Sequence, residues 1–219
     1  DQLDVRIAAL HVHHGLQAEA DHWERHCRQI CAALAVDFTV LSVDARAGRG
    51  ESPEAAARSA RYGAITAWLP ARHCLLTAQH QDDQAETLLL QLLRGSGVSG
   101  MAAMPETGPC GAGIQLRPLL GVTRAALQDY ARQHELVWIE DPSNSDTAFD
   151  RNFLRQRVMP VLRERWPAAS SSRSRSAAHC AAASELLAQQ AAHELQTLHG
   201  KRQGTVSASG LAALSGVRR

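Results

Sequence analysis

The octapeptide His80-Gln81-Asp82-Asp83-Gln84-Ala85-Glu86-Thr87 crowds three acids and a histidine into two helical turns. Adjacent carboxylates repel unless a cation or a favourable dipole lies nearby, and a helix N-terminus supplies the dipole. Glu86 falls one turn after Asp82 and Asp83, so all three can share one helix end. Such a cluster suits Mg²⁺ on nucleotide phosphates or the recognition of an incoming ammonium group. Taken alone, acidic capping of a helix start is the plainer account.

Three further groups carry chemical potential. His11-Val12-His13-His14 puts His11 and His13 on one face of a strand and His14 on the other. No Asp-His pair completes a metallohydrolase ligand set, so His14 and Gly15 are expected to shape a strand-end turn beside a ligand. Arg58 and Arg61 lie one helical turn apart next to Tyr62, a spacing that could hold phosphates or a carboxylate. Arg151 and Arg155 share a helix face, with Asn152 between them and Asp150 ahead. For both arginine pairs a solvated helix face is the alternative.

The elements that must position these residues alternate. Val5–His14 is a β-rich run ending at Gly15, and Ala18–Ala35 repeats apolar residues at helical spacing. Phe38–Val43 is a second strand. Ser52 and Pro53 open a helix to about Leu69, and Cys74–Ala78 reads as a short buried strand before a helix over Gln84–Arg94. Strands separated by helices predict βαβ units in a parallel sheet, whose ligands bind at the carboxyl ends of the strands. A glycine-rich stretch over 95–113 ends the alternation. Leu116–Leu120 then reads as a strand and Thr123 caps a helix to about His134. Residues 140–144 are turn chemistry. A basic helix is expected over Asp150–Arg165, a linker or frayed helix start at Ser170–Ser176, and a long Ala-rich helix to about His199.

Composition narrows the class. At 219 residues, with 45% hydrophobic and 21% charged side chains, the chain suits a soluble α/β domain with a helical appendage. No run nears the roughly 18 apolar residues of a membrane span, and Asp1-Gln2-Leu3-Asp4 opens no signal peptide. Five cysteines form no C-x-x-C pair, which suits a reducing, cytoplasmic setting without a membrane. Charge is uneven: residues 1–110 hold nine arginines against 13 acids, whereas 111–219 hold 13 arginines and Lys201 against nine acids. A basic, Arg-rich second half could meet phosphates.

Together these segments resemble the tRNA(Ile)-lysidine synthetases, members of the N-type ATP-pyrophosphatases. The resemblance lies in HVHHGL at 11–16, the helix from Pro53-Glu54 to Arg61-Tyr62, TAQHQDDQAETLLLQLLRGSG at 77–97, LRPLL at 116–120, Trp138 through Asn144, and RNFLRQRVMPVL at 151–162. It implies a parallel-sheet ATP-pyrophosphatase fold (adenine nucleotide alpha hydrolase-like) over 1–135, a helical extension and linker helix over 136–200, and the start of a following domain over 201–219. It implies that ATP adenylates O2 of the wobble cytidine of tRNA(Ile) with a CAU anticodon, and that free lysine then displaces AMP. The catalytic acids would be Asp82, Asp83 and Glu86, with Asp83 on Mg²⁺. His14, His80, Arg58, Arg61 and Arg117 would bind substrate, and Arg94, Arg151, Asn152 and Arg155 would bind tRNA.

One departure stands out. The family's phosphate loop, S-G-G-x-D-S, has no match here; Gly48, Gly50 and Ser52 follow the second strand and lack its pattern. The chain is therefore expected to start just before the family's second strand, to leave a gap in the sheet, and to be inactive as it stands. His13 replaces the usual Asn or Asp. A 2-thiolation-type ATP-pyrophosphatase and a non-catalytic RNA-binding fragment are the competing readings; the absence of C-x-x-C counts against the first, and the acidic block with its arginine pairs against the second.

Overall fold

The computed structural model describes residues 5–15, 17–50, 52–200, 202 and 204–214. Leu16 of the HVHHGL turn, Lys201, residues 1–4 and residues 215–219 of the expected third segment lie outside them. The chain forms two compact units that do not follow chain order. One comprises the residues up to Ala78 with Glu106–Pro118 and Tyr130–Phe149; the other comprises Gln79–Pro105, Leu119–Asp129 and the residues from Asp150 onward.

The first unit is α/β. Strand β1 (Ala8–His13) leads through helix α1 (Ala20–Ala33) to β2 (Asp37–Ser42), and the two strands pair in parallel from Ala8 opposite Asp37 to His13 opposite Ser42. Helix α2 (Pro53–Trp68) follows; proline in the first turn costs nothing because that N–H has no intrahelical acceptor. Strand β3 (Cys74–Leu76) pairs in parallel with β5 (Gly113–Leu116), which also pairs antiparallel with β4 (Thr107–Cys110). Among the described residues no ladder joins β1–β2 to β3–β5–β4. Both sheets instead share one core: Ile65 and Leu69 from the α2 end with Cys110, covered by Leu10, Val12, Leu41 and Leu75.

The strand expected at Leu116–Leu120 ends at Leu116, and the glycine-rich stretch before it holds a β-hairpin. Pro118 has no N–H for a ladder, so pairing stops after Arg117 N–H donates to the Glu106 carbonyl at 2.8 Å. Gly111 turns the hairpin at φ +58, and a Cβ there would lie 2.4 Å from the Thr66 carbonyl oxygen of α2. Only glycine meets both demands.

The second unit is helical: α3 (Gln81–Leu93), α4 (Val98–Met101), the opening turns of α5 (Arg124–Gln133), α6 (Asp150–Phe153), α7 (Met159–Arg165), α8 (Ala169–Thr197) and α9 (Ala208–Ala213). Helices α3 and α4 pack on α8. Ala85, Ala169 and Ala177 are all buried and small enough for close helix approach. The expected single helix over Asp150–Arg165 is broken by a π-helical turn at Leu154–Val158. Pro160 explains the break, since it offers no N–H to the Gln156 carbonyl four residues back and its ring would crowd that group. The Ser/Arg stretch at 170–176 is helical, forming the start of α8.

Candidate functional site

Helix α3 begins with a reciprocal cap. The His80 Nδ1 accepts from Asp83 N–H at 3.3 Å, and His80 N–H donates to Asp83 Oδ2 at 3.0 Å. Histidine thus takes the place serine or threonine usually holds, while the acid three residues on plays its ordinary part.

Asp82 points the other way, into a polar knot. Its Oδ2 accepts from the Arg124 N–H at the start of α5 at 2.8 Å, and its Oδ1 accepts from Ser170 Oγ at 2.8 Å and from Arg163 Nη2. Burial pushes the Asp82 carboxyl up, but these hydrogen bonds and the Arg163 and His80 charges outweigh it, so the group ends below its ordinary range. One carboxylate therefore joins the starts of α3, α5 and α8 with the C-terminal turn of α7.

Glu86 is one of the two largest fully buried side chains, at 1% exposure. Both its oxygens are held by Arg155, Nε to Oε1 and Nη2 to Oε2, each at 2.8 Å, and Arg155 Nη2 also reaches Asp83 Oδ1 at 3.0 Å. The hydrogen bond to Glu86 raises the Arg155 pKa, burial opposes it, and the nearby acids add to the rise. Arg151, one turn earlier, donates to Thr87 Oγ1 at 3.0 Å. Its Nε is buried without a hydrogen-bond partner among the described residues.

The π turn sets this geometry. An α-helix turns about 100° per residue, so eight residues would leave Arg155 and Arg163 about 80° apart. A π turn spans more residues per revolution, which brings the two arginines round to one side of the helix and onto Glu86 and Asp82 of α3. Beside them opens a cleft of about 480 Å³, lined by Asp82, Glu86, Arg124, Arg155, Arg163 and Ser171 among others.

In the first unit, Arg61 Nε donates to His14 Nε2 at 3.3 Å, and the His14 Nδ1 is buried with no partner among the described residues. Burial, then the charges of Arg61, His11 and His13, push the His14 pKa down. Arg58 stacks over the Tyr62 ring at 4.8 Å. Buried Arg117 donates through Nη2 to Gln115 Oε1 at 2.7 Å, and Gln115 Nε2 donates to Thr77 Oγ1 at 2.8 Å and to Tyr62 Oη at 3.2 Å. Tyr62, one turn from Arg58, is therefore tied to the strand end.

The expected site residues thus fall in two sets. His14, Arg58, Arg61 and Arg117 belong to the first unit; His80, Asp82, Asp83, Glu86, Arg94, Arg151, Asn152 and Arg155 belong to the second. The second unit brings the acidic block together with Arg155. Arg94 lies farther along α3, its Nη2 3.8 Å from Asp150. Arg155, expected on a solvated face or on tRNA, pairs with the acids of α3. Each acid of the block is engaged by arginine, Asp82 by Arg163 and Asp83 and Glu86 by Arg155. Arg163, Ser170 and Gln115 were missed from the sequence. Arg163 is one of several arginines in a basic run, and nothing in the spacing marked it as the partner of an acid 81 residues earlier.

Residues 1–162 match the PP-loop domain family. The chain is 54% identical over 183 residues to tRNA(Ile)-lysidine synthase of Methylococcus capsulatus, covering 84% of this chain and 42% of that protein. It is 53% identical over 190 residues to the protein of the same name from Pseudomonas aeruginosa (87% and 42%) and 47% identical over 216 residues to that of Serratia proteamaculans (99% and 49%). The chain thus spans about half the length of the curated relatives it matches. Among solved structures, the U34-tRNA thiolase NcsA of Methanococcus maripaludis with its 4Fe-4S cluster matches with a TM-score of 0.64 at 13% identity, over 80% of this chain and 62% of that one. That likeness is one of fold.

Proposed function

The chain belongs to the PP-loop domain family, and from that premise we propose that it is part of a tRNA(Ile)-lysidine synthase. The observation that carries this reading is the meeting of two family-like segments, 80–97 and 151–162, through Arg155 on Glu86 and Asp83. In the reaction proposed, O2 of the wobble cytidine attacks the α-phosphorus of ATP and pyrophosphate leaves. An amine of lysine then attacks C2 of the activated ring, AMP departs with the C–O electron pair, and the amine gives up a proton.

The residues divide the work by environment. Asp83 and Glu86 already hold a cationic guanidinium, so the same oxygens are suited to the ammonium group of lysine, with Arg155 as the internal competitor. Arg61 beside His14, and Arg58 over Tyr62, supply cationic donors for phosphates or a carboxylate. Arg94, Arg151 and Asn152 are proposed to face the tRNA. The acids of the block are assigned first to the amine substrate, and Asp83 is the carboxylate that would also hold Mg²⁺ beside nucleotide phosphates.

The test is to incubate the full protein with ATP, lysine and the CAU isoleucine tRNA, then digest the tRNA and weigh its nucleosides. Lysidine at the wobble position, with one AMP and one pyrophosphate per product, is expected. A sulfur-containing nucleoside would replace this reading with the 2-thiolation one, which the fold likeness to a U34 thiolase makes specific.

A further inference from the structure

Most arginines of the acidic-block region already have protein partners: Arg155 on Glu86, Arg163 on Asp82, Arg151 on Thr87 and Arg94 near Asp150. A different group lacks acidic partners. Residues 157–175 carry five arginines against the single acid Glu164. Among the described residues, Arg157, Arg165, Arg173 and Arg175 have no acid within ion-pair distance.

Their surroundings are unusual for a merely solvated face. Among the described residues Arg173 donates to the Met159 sulfur alone, at 3.8 Å, a weak acceptor; burial and the nearby Arg163 charge both lower the Arg173 pKa. Among the described residues Arg175 reaches the neutral Ser172 hydroxyl at 3.2 Å and no acid. Arg157 and Arg165 are exposed, two turns apart, with Val161 between them at 64% exposure. Trp166 ends α7 at 58% exposure, with the Arg165 guanidinium 5.9 Å from its ring centroid.

Crowded, uncompensated arginines call for a polyanion, and a bare indole beside them offers a flat apolar face that phosphates alone do not need. RNA with unpaired bases supplies both chemistries. We propose that the surface running from the π turn along α7 to the start of α8 is an RNA-binding surface, on which Trp166 stacks against an unpaired base while Arg157, Arg165, Arg173 and Arg175 contact backbone phosphates. This rests on the tRNA-modifying function proposed above and extends its RNA contact beyond Arg94, Arg151 and Asn152. The surface borders the cleft beside Asp82 and Glu86, whose wall includes Arg163, Pro167, Ser170 and Ser171. RNA held there lies next to the acidic block of the same unit.

Two sets of variants of the full protein test it, with tRNA affinity measured across a salt series and lysidine formation followed in parallel. Replacing the four arginines by Ala is expected to weaken tRNA binding at least tenfold at low salt. The log–log salt slope should shrink by roughly 0.7 to 0.9 for each phosphate that the variant no longer neutralises. Arg→Lys versions should keep most of the slope. Trp166→Ala should weaken binding on the order of tenfold with the slope unchanged, and Trp166→Phe should restore most of it. The lysine KM should not move. Parent-like tRNA affinity and slope in the four-Ala variant, with lysidine still formed, would overturn the surface and leave the function standing. If the parent forms no lysidine but its tRNA binding still falls in the variants, the lysidine reading fails and the surface holds. A parent that neither forms lysidine nor binds tRNA overturns both.

Discussion

Arg155 holds Glu86 by both carboxylate oxygens, in a side-on pair at 2.8 Å and 2.8 Å that closes over a side chain with 1% exposure. A buried charge of this kind is tolerated because its partner satisfies it twice.

Removing one member of the pair strands the other. Glu86→Leu should cost about 3–5 kcal/mol, the range for breaking a buried ion pair, and towards its lower end because the Arg155 side chain keeps 24% exposure. The double variant Glu86→Leu with Arg155→Met should recover part of that loss, since no charge is left behind. Urea melts of both singles and the double decide it; a double variant as unstable as the sum of the singles would show that the pair is not coupled.

Asp82 makes folding sensitive to acid. Its folded pKa lies below the ordinary value of 3.8, so the stability it contributes is complete above that value and is lost as pH falls through the lower, folded one. Asp82→Asn should cost about 1–3 kcal/mol at neutral pH through loss of a charged acceptor for Arg163, Ser170 and Arg124 N–H. It should also flatten the acid limb of the stability curve. A stability–pH profile that keeps the parent's acid slope in the variant would contradict the assignment.

Gln115 ties together the side chains of Thr77, Tyr62 and Arg117 through a single amide. Gln115→Leu removes one hydrogen bond each from a buried arginine and two hydroxyls, at a cost of about 1–3 kcal/mol. Gln115→Glu keeps the acceptor for Arg117 and should be the milder change in a thermal melt.

Gly111→Ala meets two penalties together. The φ of +58 disfavours any Cβ, and the new methyl group would press on the Thr66 carbonyl. The strained dihedral costs about 1 kcal/mol and overpacking about 1–3 kcal/mol more. Gly50→Ala shares the positive φ but has open space around it, so it should show only the first penalty. Equal melting temperatures for the two variants would count against the close approach.

What was legible in the sequence was whatever repeats locally. Ala20, Trp23, Cys27 and Cys31 mark one side of α1, and the Ser52-Pro53 start of α2 falls where its turn chemistry placed it. The β4–β5 hairpin was hidden because Thr107-Gly108-Pro109-Cys110 has neither alternation nor β-branched runs, its pairing being specified by Gly111 against α2. At the site, Asp82, Asp83 and Glu86 stood out by crowding. Their roles did not, because the residues that answer them, Arg155, Arg163 and Ser170, lie 69 to 88 positions away. Local periodicity carries no record of such pairings.

The π turn at Leu154–Val158 turns a matter of chemistry into one of counting. Arg155 and Arg163 must meet acids spaced four apart on α3, and the register between them is set by how many residues occupy the helix, not by which ones. Side chains at Gln156 and Arg157 are exposed and take no part in that register. A single deletion or insertion there would swing the downstream arginine about 100° away from its acid. The segment is therefore constrained in its length before it is constrained in its composition.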